Sequence, residues 1–195
     1  MNRRAFVTGL AAVLSAPLAA EAQPHTKPLI GFLHQGSLDP PPLTDAFRQG
    51  LSETGISEGR DVTVEHRWAD GKYDRLPALA MELVRHQAAV IAAAFLPAAL
   101  AAKVATQTIP IVFLSGSDPI AAGLVSSLSR PTANVTGIAF MFTLLGAKHL
   151  ELMRELLPKA AVVGALSNPK NPNAEPQVRD LQAAARALGT QLIVL

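Results

Sequence analysis

Residues 88–120 read AAVIAAAFLPAALAAKVATQTIPIVFLSGSDPI, and this stretch decides the fold. It holds two apolar runs, AAVIAAAF and IPIVFLS, on either side of the Ala-rich segment LPAALAAKVATQT, which has the length and composition of a helix. An apolar run without polar alternation is what a strand needs when helices cover both faces of its sheet. The pattern predicts a β-α-β unit with parallel strands. The second run ends abruptly in Ser115-Gly116-Ser117-Asp118-Pro119. In an open α/β sheet, the carboxyl ends of the strands are where ligands are held.

Upstream, the same alternation repeats. PLIGFLH (28–34) is a strand, and its Gly31 predicts a close approach of a neighbouring element. A loop with three consecutive prolines, Pro40 to Pro42, leads into a helix in which Leu43, Phe47 and Leu51 share a face and Thr44 or Asp45 serves as cap. DVTVEHRWAD (61–70) alternates as a half-buried strand, and the following helix places Leu76, Leu79, Ala80 and Leu83 on one side. Downstream, DPIAAGLVSSLSRP (118–131) is expected to be a short helix and ANVTGIAF (133–140) a fifth strand. TLLGAKHLELMRELLP forms an amphipathic helix with Leu145, His149, Leu152 and Leu156 on its apolar face. A sixth strand (AAVVGALSN), a helix stopped by Gly189, and a seventh strand (TQLIVL) complete the series. The fold class is therefore α/β, a parallel doubly wound sheet, with a first α/β unit at 28–133 and a second, incomplete one at 134–195. The chain stops inside a strand, which suggests truncation at the C-terminus.

Composition narrows the function. Of 195 residues, 49% are hydrophobic and 16% charged, and the net charge is +2, so nothing marks a nucleic-acid partner. Cysteine is absent, which excludes disulfides, thiolate metal sites and a Cys nucleophile. The N-terminus has Arg3-Arg4, an apolar stretch from Ala5 to Ala20, and Ala20-Glu21-Ala22 ahead of Gln23. That is the layout of a secretory signal peptide over residues 1–22, cleaved after Ala22, and its paired arginines resemble a twin-arginine export signal. A periplasmic location follows as the expectation.

The strand-end loops carry hydroxyls, amides and helix N-termini, groups that suit a carboxylate or another small polar ligand. None carries a catalytic constellation. Dinucleotide and phosphate-loop fingerprints are missing, as is the G-x-S-x-G elbow of hydrolases. His25, His34, His66, His86 and His149 show no metal-ligand spacing, and no cofactor is implied. His149 reads as a packed histidine, while His34 abuts a ligand-facing loop. Asp118 reads first as the cap of the helix after it, and Asp70 and Asp74 as turn residues. Trp68 reads as strand filling, without the aromatic neighbours of a stacking platform. The residues leave open a small exported enzyme using Asp118 with Ser115 or His34.

The ordered phrases IGFL, AFRQGLSETG, EGRDVTVEHRWADGKYDRLPALAMELV, ALAAKVATQTIPIVFLSGSDPIAAGLVSSLSRPTANVTGIAF and GAKHLELMRELLPKAAVVGALSNPKNPNAE resemble ABC-transporter substrate-binding proteins of the tryptophan/tyrosine-type group. The resemblance runs from about residue 28 to 195. It implies a type I periplasmic-binding-protein fold, with a complete first lobe and a partial second one. Such a protein closes as a monomer on a small ligand, an amino acid or related compound, and delivers it to a membrane permease. Lobes of this kind can also feed a sensor kinase. The resemblance assigns ligand contact to Gln35, Gly36 and Ser37 after the first strand, and to Ser115, Gly116, Ser117 and Asp118 after the fourth. Asn168 and Asn171 do so in the second lobe. One departure stands out: the loop after the third strand carries small polar residues in the group, but here reads Phe95-Leu96-Pro97-Ala98.

Overall fold

The computed structural model describes residues 27–37, 42–130 and 133–195. The expected leader at 1–22, with its expected cleavage site, lies outside them. In chain order the elements are β1 (Leu29–His34), α1 (Pro42–Glu53), β2 (Thr63–Trp68), α2 (Leu76–Arg85), β3 (Val90–Ala94), α3 (Leu96–Ala105) and β4 (Ile111–Ser115). Then follow β5 (Val135–Ala139), α4 (Gly146–Leu156), β6 (Val162–Ala165), α5 (Ala174–Leu188) and β7 (Gln191–Val194). Short 3-10 turns precede α2 and α4.

The strands form one five-stranded sheet in the order β2-β1-β3-β4-β5 and a two-stranded sheet, β6-β7. Every pairing is parallel. The apolar runs that announced β3 and β4 sit in the middle of the large sheet, as burial on both faces requires. On one face, α2 and α3 pack Leu76, Leu79, Leu83, Ala98 and Ala102 against Leu33, Ile91 and Ile111. On the other, α1 brings Leu43, Phe47 and Leu51 onto Ile30, Phe32 and Val64. Gly31 is a close-approach position: a Cβ there would come within 2.8 Å of Leu83 Cδ1.

Four expectations change. The fifth strand pairs with β4 in register, from Ile111 opposite Val135 to Ser115 opposite Ala139, so the large sheet extends past the expected boundary at residue 133. Residues 119–123 form a turn and 124–130 continue as bends, with no helix between them. The cause is local: Gly123 takes φ +70°, and Leu124 donates back to the Pro119 carbonyl, which closes a compact turn that helical bonding cannot extend. Lys103 of α3 ties this turn down by donating to the carbonyls of Gly123 and Leu124.

The third change concerns α4. Leu145, Leu152 and Leu156 are exposed and His149 with them, while Leu150 is the buried residue. The helix meets α5 and no broad sheet, so only a narrow part of its apolar face is covered. Finally, α1 begins at Pro42, which places Thr44 and Asp45 inside its first turn instead of at the cap.

Candidate functional site

All five strands of the large sheet end at one edge, and the loops leaving that edge behave differently. After β1, the Gly36 N–H donates to His34 Nδ1 at 2.7 Å, and the carbonyls of Gln35 and Gly36 accept from Gly71 and Asp70 of the next loop. This pair of loops is bonded to itself. Gln35 Oε1 is buried without a partner, and Ser37 is exposed.

Trp68 is half-buried here but not alone. His34 lies 4.9 Å away, Phe32 5.8 Å and His66 5.9 Å, with the His66 ring nearly parallel at 6°. Phe95 meets His34 edge-on at 5.4 Å and takes φ +70°, a region that favours glycine. The fold thus assembles an aromatic cluster from residues far apart in sequence. Burial lowers the pKa of both His34 and His66, so both rings are held toward the neutral form.

After β4 the chain enters a cleft. Ser115 is fully buried, and its Oγ accepts the Ser117 N–H at 3.1 Å; this hydroxyl shapes the turn and does not face the opening. The Gly116 carbonyl accepts the Thr143 N–H, which ties the β4 loop to the crossover between lobes. Asp118 Oδ1 accepts from the N–H groups of Ile120 (2.8 Å) and Ala121 (3.2 Å). That is the capping role read from the sequence, performed on a turn instead of a helix. Neither Ser115 nor His34 bonds to Asp118, so these three side chains do not form a nucleophile activated by a base. The described residues also contain no cluster of three metal-binding side chains.

Ser117 and Asp118 line a cavity of about 380 Å³ whose opposite wall is Pro172, Asn173, Pro176, Gln177 and Asp180 from the start of α5. Leu96, Leu100, Ala121, Ala122, Thr143 and Leu144 complete it. The volume falls within the range of small-molecule sites, roughly 300–1,000 Å³. Ser117 is 5% exposed, and its Oγ is buried with no hydrogen-bond partner.

Of the residues expected to meet a ligand, only Ser117 and Asp118 line this cavity. Asn168 and Asn171 instead bend the loop before α5, accepting the N–H groups of Lys170 and Asn173. The second-lobe residues that do line it were missed. Asn173, Gln177 and Asp180 recur at helical spacing on one face, a pattern that any solvated helix face shares, so the sequence carried no specific signal for them.

The sequence profile described as "ABC transporter substrate binding protein" matches residues 32–195. The chain is 32% identical over 140 residues to a protein named tyrosine-binding protein from Clostridioides difficile, covering 72% of this chain and 40% of the relative. Among solved structures, a conserved domain protein of Vibrio cholerae O1 biovar El Tor is similar, with 29% identity and a TM-score of 0.75. So is the ABC domain of Streptococcus pneumoniae in complex with L-Trp, with 25% identity and a TM-score of 0.73. Each similarity covers 87% of this chain and 57% of the solved one. The chain thus spans about half the length of the relatives it matches.

Proposed function

The chain belongs to the family of ABC transporter substrate-binding proteins, and from that premise we propose that it is the exported, solute-binding component of an importer. It holds one small polar ligand between its lobes and hands it to a membrane permease, without covalent chemistry. The observation that carries this reading is the cavity of about 380 Å³ built jointly by the β4 loop of the first lobe and the start of α5 in the second. A ligand touching both walls favours the closed arrangement of the lobes, because it gains contacts there that the open one lacks. Closure in turn is what a permease can recognise. Ser117 and Asp118 supply the first wall, and Asn173, Gln177 and Asp180 the second. Export through the leader at 1–22, periplasmic location and action as a monomer belong to the same proposal.

Native mass spectrometry of the chain purified without refolding tests it. The expected spectrum contains protein plus one small molecule, retained by the parent chain and lost from Gln177→Ala. An empty chain that also shows no thermal shift with amino acids, amines or sugars would overturn the reading. So would a bound molecule that Gln177→Ala and Ser117→Ala both retain at unchanged occupancy.

A further inference from the structure

We infer that His34 is a proton-sensitive latch at the carboxyl edge of the large sheet: its neutral ring holds the loops after β1 and β2 together, and protonation releases them. The inference rests on hydrogen-bond geometry inside the first lobe and stands apart from the receptor reading. Gly36 donates its N–H to His34 Nδ1 at 2.7 Å. Only an unprotonated ring nitrogen can accept, so the proton of the neutral imidazole sits on Nε2. The approach requires glycine: a Cβ at Gly36 would lie 3.0 Å from His34 Cε1 and 3.2 Å from Nδ1. The pattern is that of an Asx turn, in which a side-chain acceptor takes the N–H two residues on, with an imidazole standing in for Asn or Asp.

That one bond pins a larger arrangement. The Gly36 carbonyl accepts the Asp70 N–H and the Gln35 carbonyl accepts that of Gly71, each at 2.9 Å. The His34 carbonyl accepts the Ala69 N–H at 3.0 Å. The turn that the imidazole holds is therefore the one on which the loop after β2 rests. The same ring lies 4.9 Å from Trp68 and meets Phe95 edge-on at 5.4 Å. Phe95 leads directly into α3, whose Leu96 and Leu100 line the cavity of the cleft. His34 thus touches both the edge loops and the segment that enters the cleft wall.

A proton on Nδ1 converts the acceptor into a donor that faces another donor, and the Gly36 N–H loses its partner. Gln35 Oε1, buried without a partner in the closed turn, gains water when the turn opens. The surrounding elements do little to hold the added charge. On β2, His66 stacks against Trp68 and is itself kept toward the neutral form by burial. In the loop after β2, the Asp70 carboxylate is paired with Arg75 at 2.7 Å. Arg48 of α1 and Glu58 act on His66, and no charged side chain among the described residues contributes to the His34 shift, which burial drives downward. The latch therefore stays closed at the ordinary imidazole value of about 6.5 and opens as the pH falls through the lowered one.

Amide exchange of the intact chain, followed by NMR, tests the latch. From about pH 7.5 to about pH 5, the protection factor of Gly36 is expected to fall about tenfold, with Asp70 and Gly71 following. Ile91, bonded to the Pro110 carbonyl in the sheet, should keep its own protection. His34→Asn has an acceptor at the same place in an Asx turn and no group that titrates, so Gly36 should stay protected throughout. His34→Leu has no acceptor and should leave it unprotected at both ends of the range. A level parent profile, or a His34→Asn profile that falls like the parent's, overturns the inference. So does an equal loss at Ile91, which would mark global unfolding, or a neutral ring that carries its proton on Nδ1. In His66→Phe the Gly36 response should persist, and its disappearance would overturn the assignment to His34.

Discussion

The two lobes use the same alternation of strand and helix and arrive at different degrees of burial. In the first, Leu33, Leu83, Ile91 and Ile111 are all 0% exposed, in a core contributed by four of the five strands and two helices. In the second, the buried hydrophobics are Leu150, Ala174 and Ala185, while Leu156 is 79% exposed and Leu166 91%. A two-stranded sheet with one helix pair cannot enclose side chains on both of its faces. The difference teaches that amphipathic pattern specifies an element, whereas burial needs a second layer to receive it.

The largest expected effect tests that contrast directly. Ile91→Ala, in the central strand β3, should lower unfolding free energy by about 2–5 kcal/mol, because the cavity it leaves cannot collapse between two helix layers. Leu156→Ala should change it by less than about 0.5 kcal/mol, since most of that side chain is already in water. Urea titration of both variants measures the pair. Equal shifts would mean that the second lobe contributes to the same cooperative core, and the contrast would fail.

How much of this could be read from the chain follows from the same physics. β3 and β4 were legible because a strand buried on both faces has no polar alternation to confuse it, and Leu76, Leu79, Ala80 and Leu83 because helical periodicity was intact. The turn at 119–123 was not, because its apolar residues imitate a helix while the positive φ of Gly123 prevents one. At the cleft, Ser117 and Asp118 could be found from the end of a strand. Asn173, Gln177 and Asp180 read as an ordinary solvated helix face, since nothing local shows that another lobe stands opposite. The β1 loop was placed at the correct edge of the sheet, but Gly36 is drawn toward His34, a contact between side chain and backbone that no periodicity reports.

A second, smaller effect sharpens the comparison through pH. His34 and His66 of the first lobe lie inside its aromatic cluster, whereas His149 of the second is exposed beside Phe142. His66 has its pKa lowered first by burial and then by the Arg48 charge, with Glu58 acting in the opposite direction. Neither of its ring nitrogens has a partner. In the unfolded chain the imidazole titrates near its ordinary value of about 6.5. Between that value and the lowered folded one, the unfolded state binds more protons, so stability falls as the pH drops. The stabilisation is fully present above about pH 6.5 and lost as the pH passes down through the folded value. Urea midpoints measured from pH 7.5 to 5 should decline, and His66→Phe, which keeps the stack on Trp68, should flatten the decline. A parent profile that is level across this range would remove His66 from the account.

The smallest effect is one substitution with opposite signs in the two lobes. Gly50 sits within α1, and a Cβ there would meet nothing within 4 Å. Alanine costs the unfolded chain more conformational freedom than the helix loses, so Gly50→Ala should stabilise the protein by roughly 0.5–1 kcal/mol. Gly189 terminates α5 with φ +64° and ψ +30°, and its N–H closes the last turn by donating to the Arg186 carbonyl. A Cβ at Gly189 also meets open space, yet the left-handed backbone itself opposes it by about 1–2 kcal/mol. Gly189→Ala should therefore destabilise, by an amount that depends on how tightly the second lobe fixes that backbone. A full penalty in the urea midpoint would show that α5 is held as firmly as the first-lobe helices despite its thin support. A penalty well below 1 kcal/mol, with Gly50→Ala still stabilising, would show that the end of α5 relaxes into another conformation at little cost. The wall carrying Asn173, Gln177 and Asp180 would then be the compliant side of the cleft, the side that moves when a ligand is held.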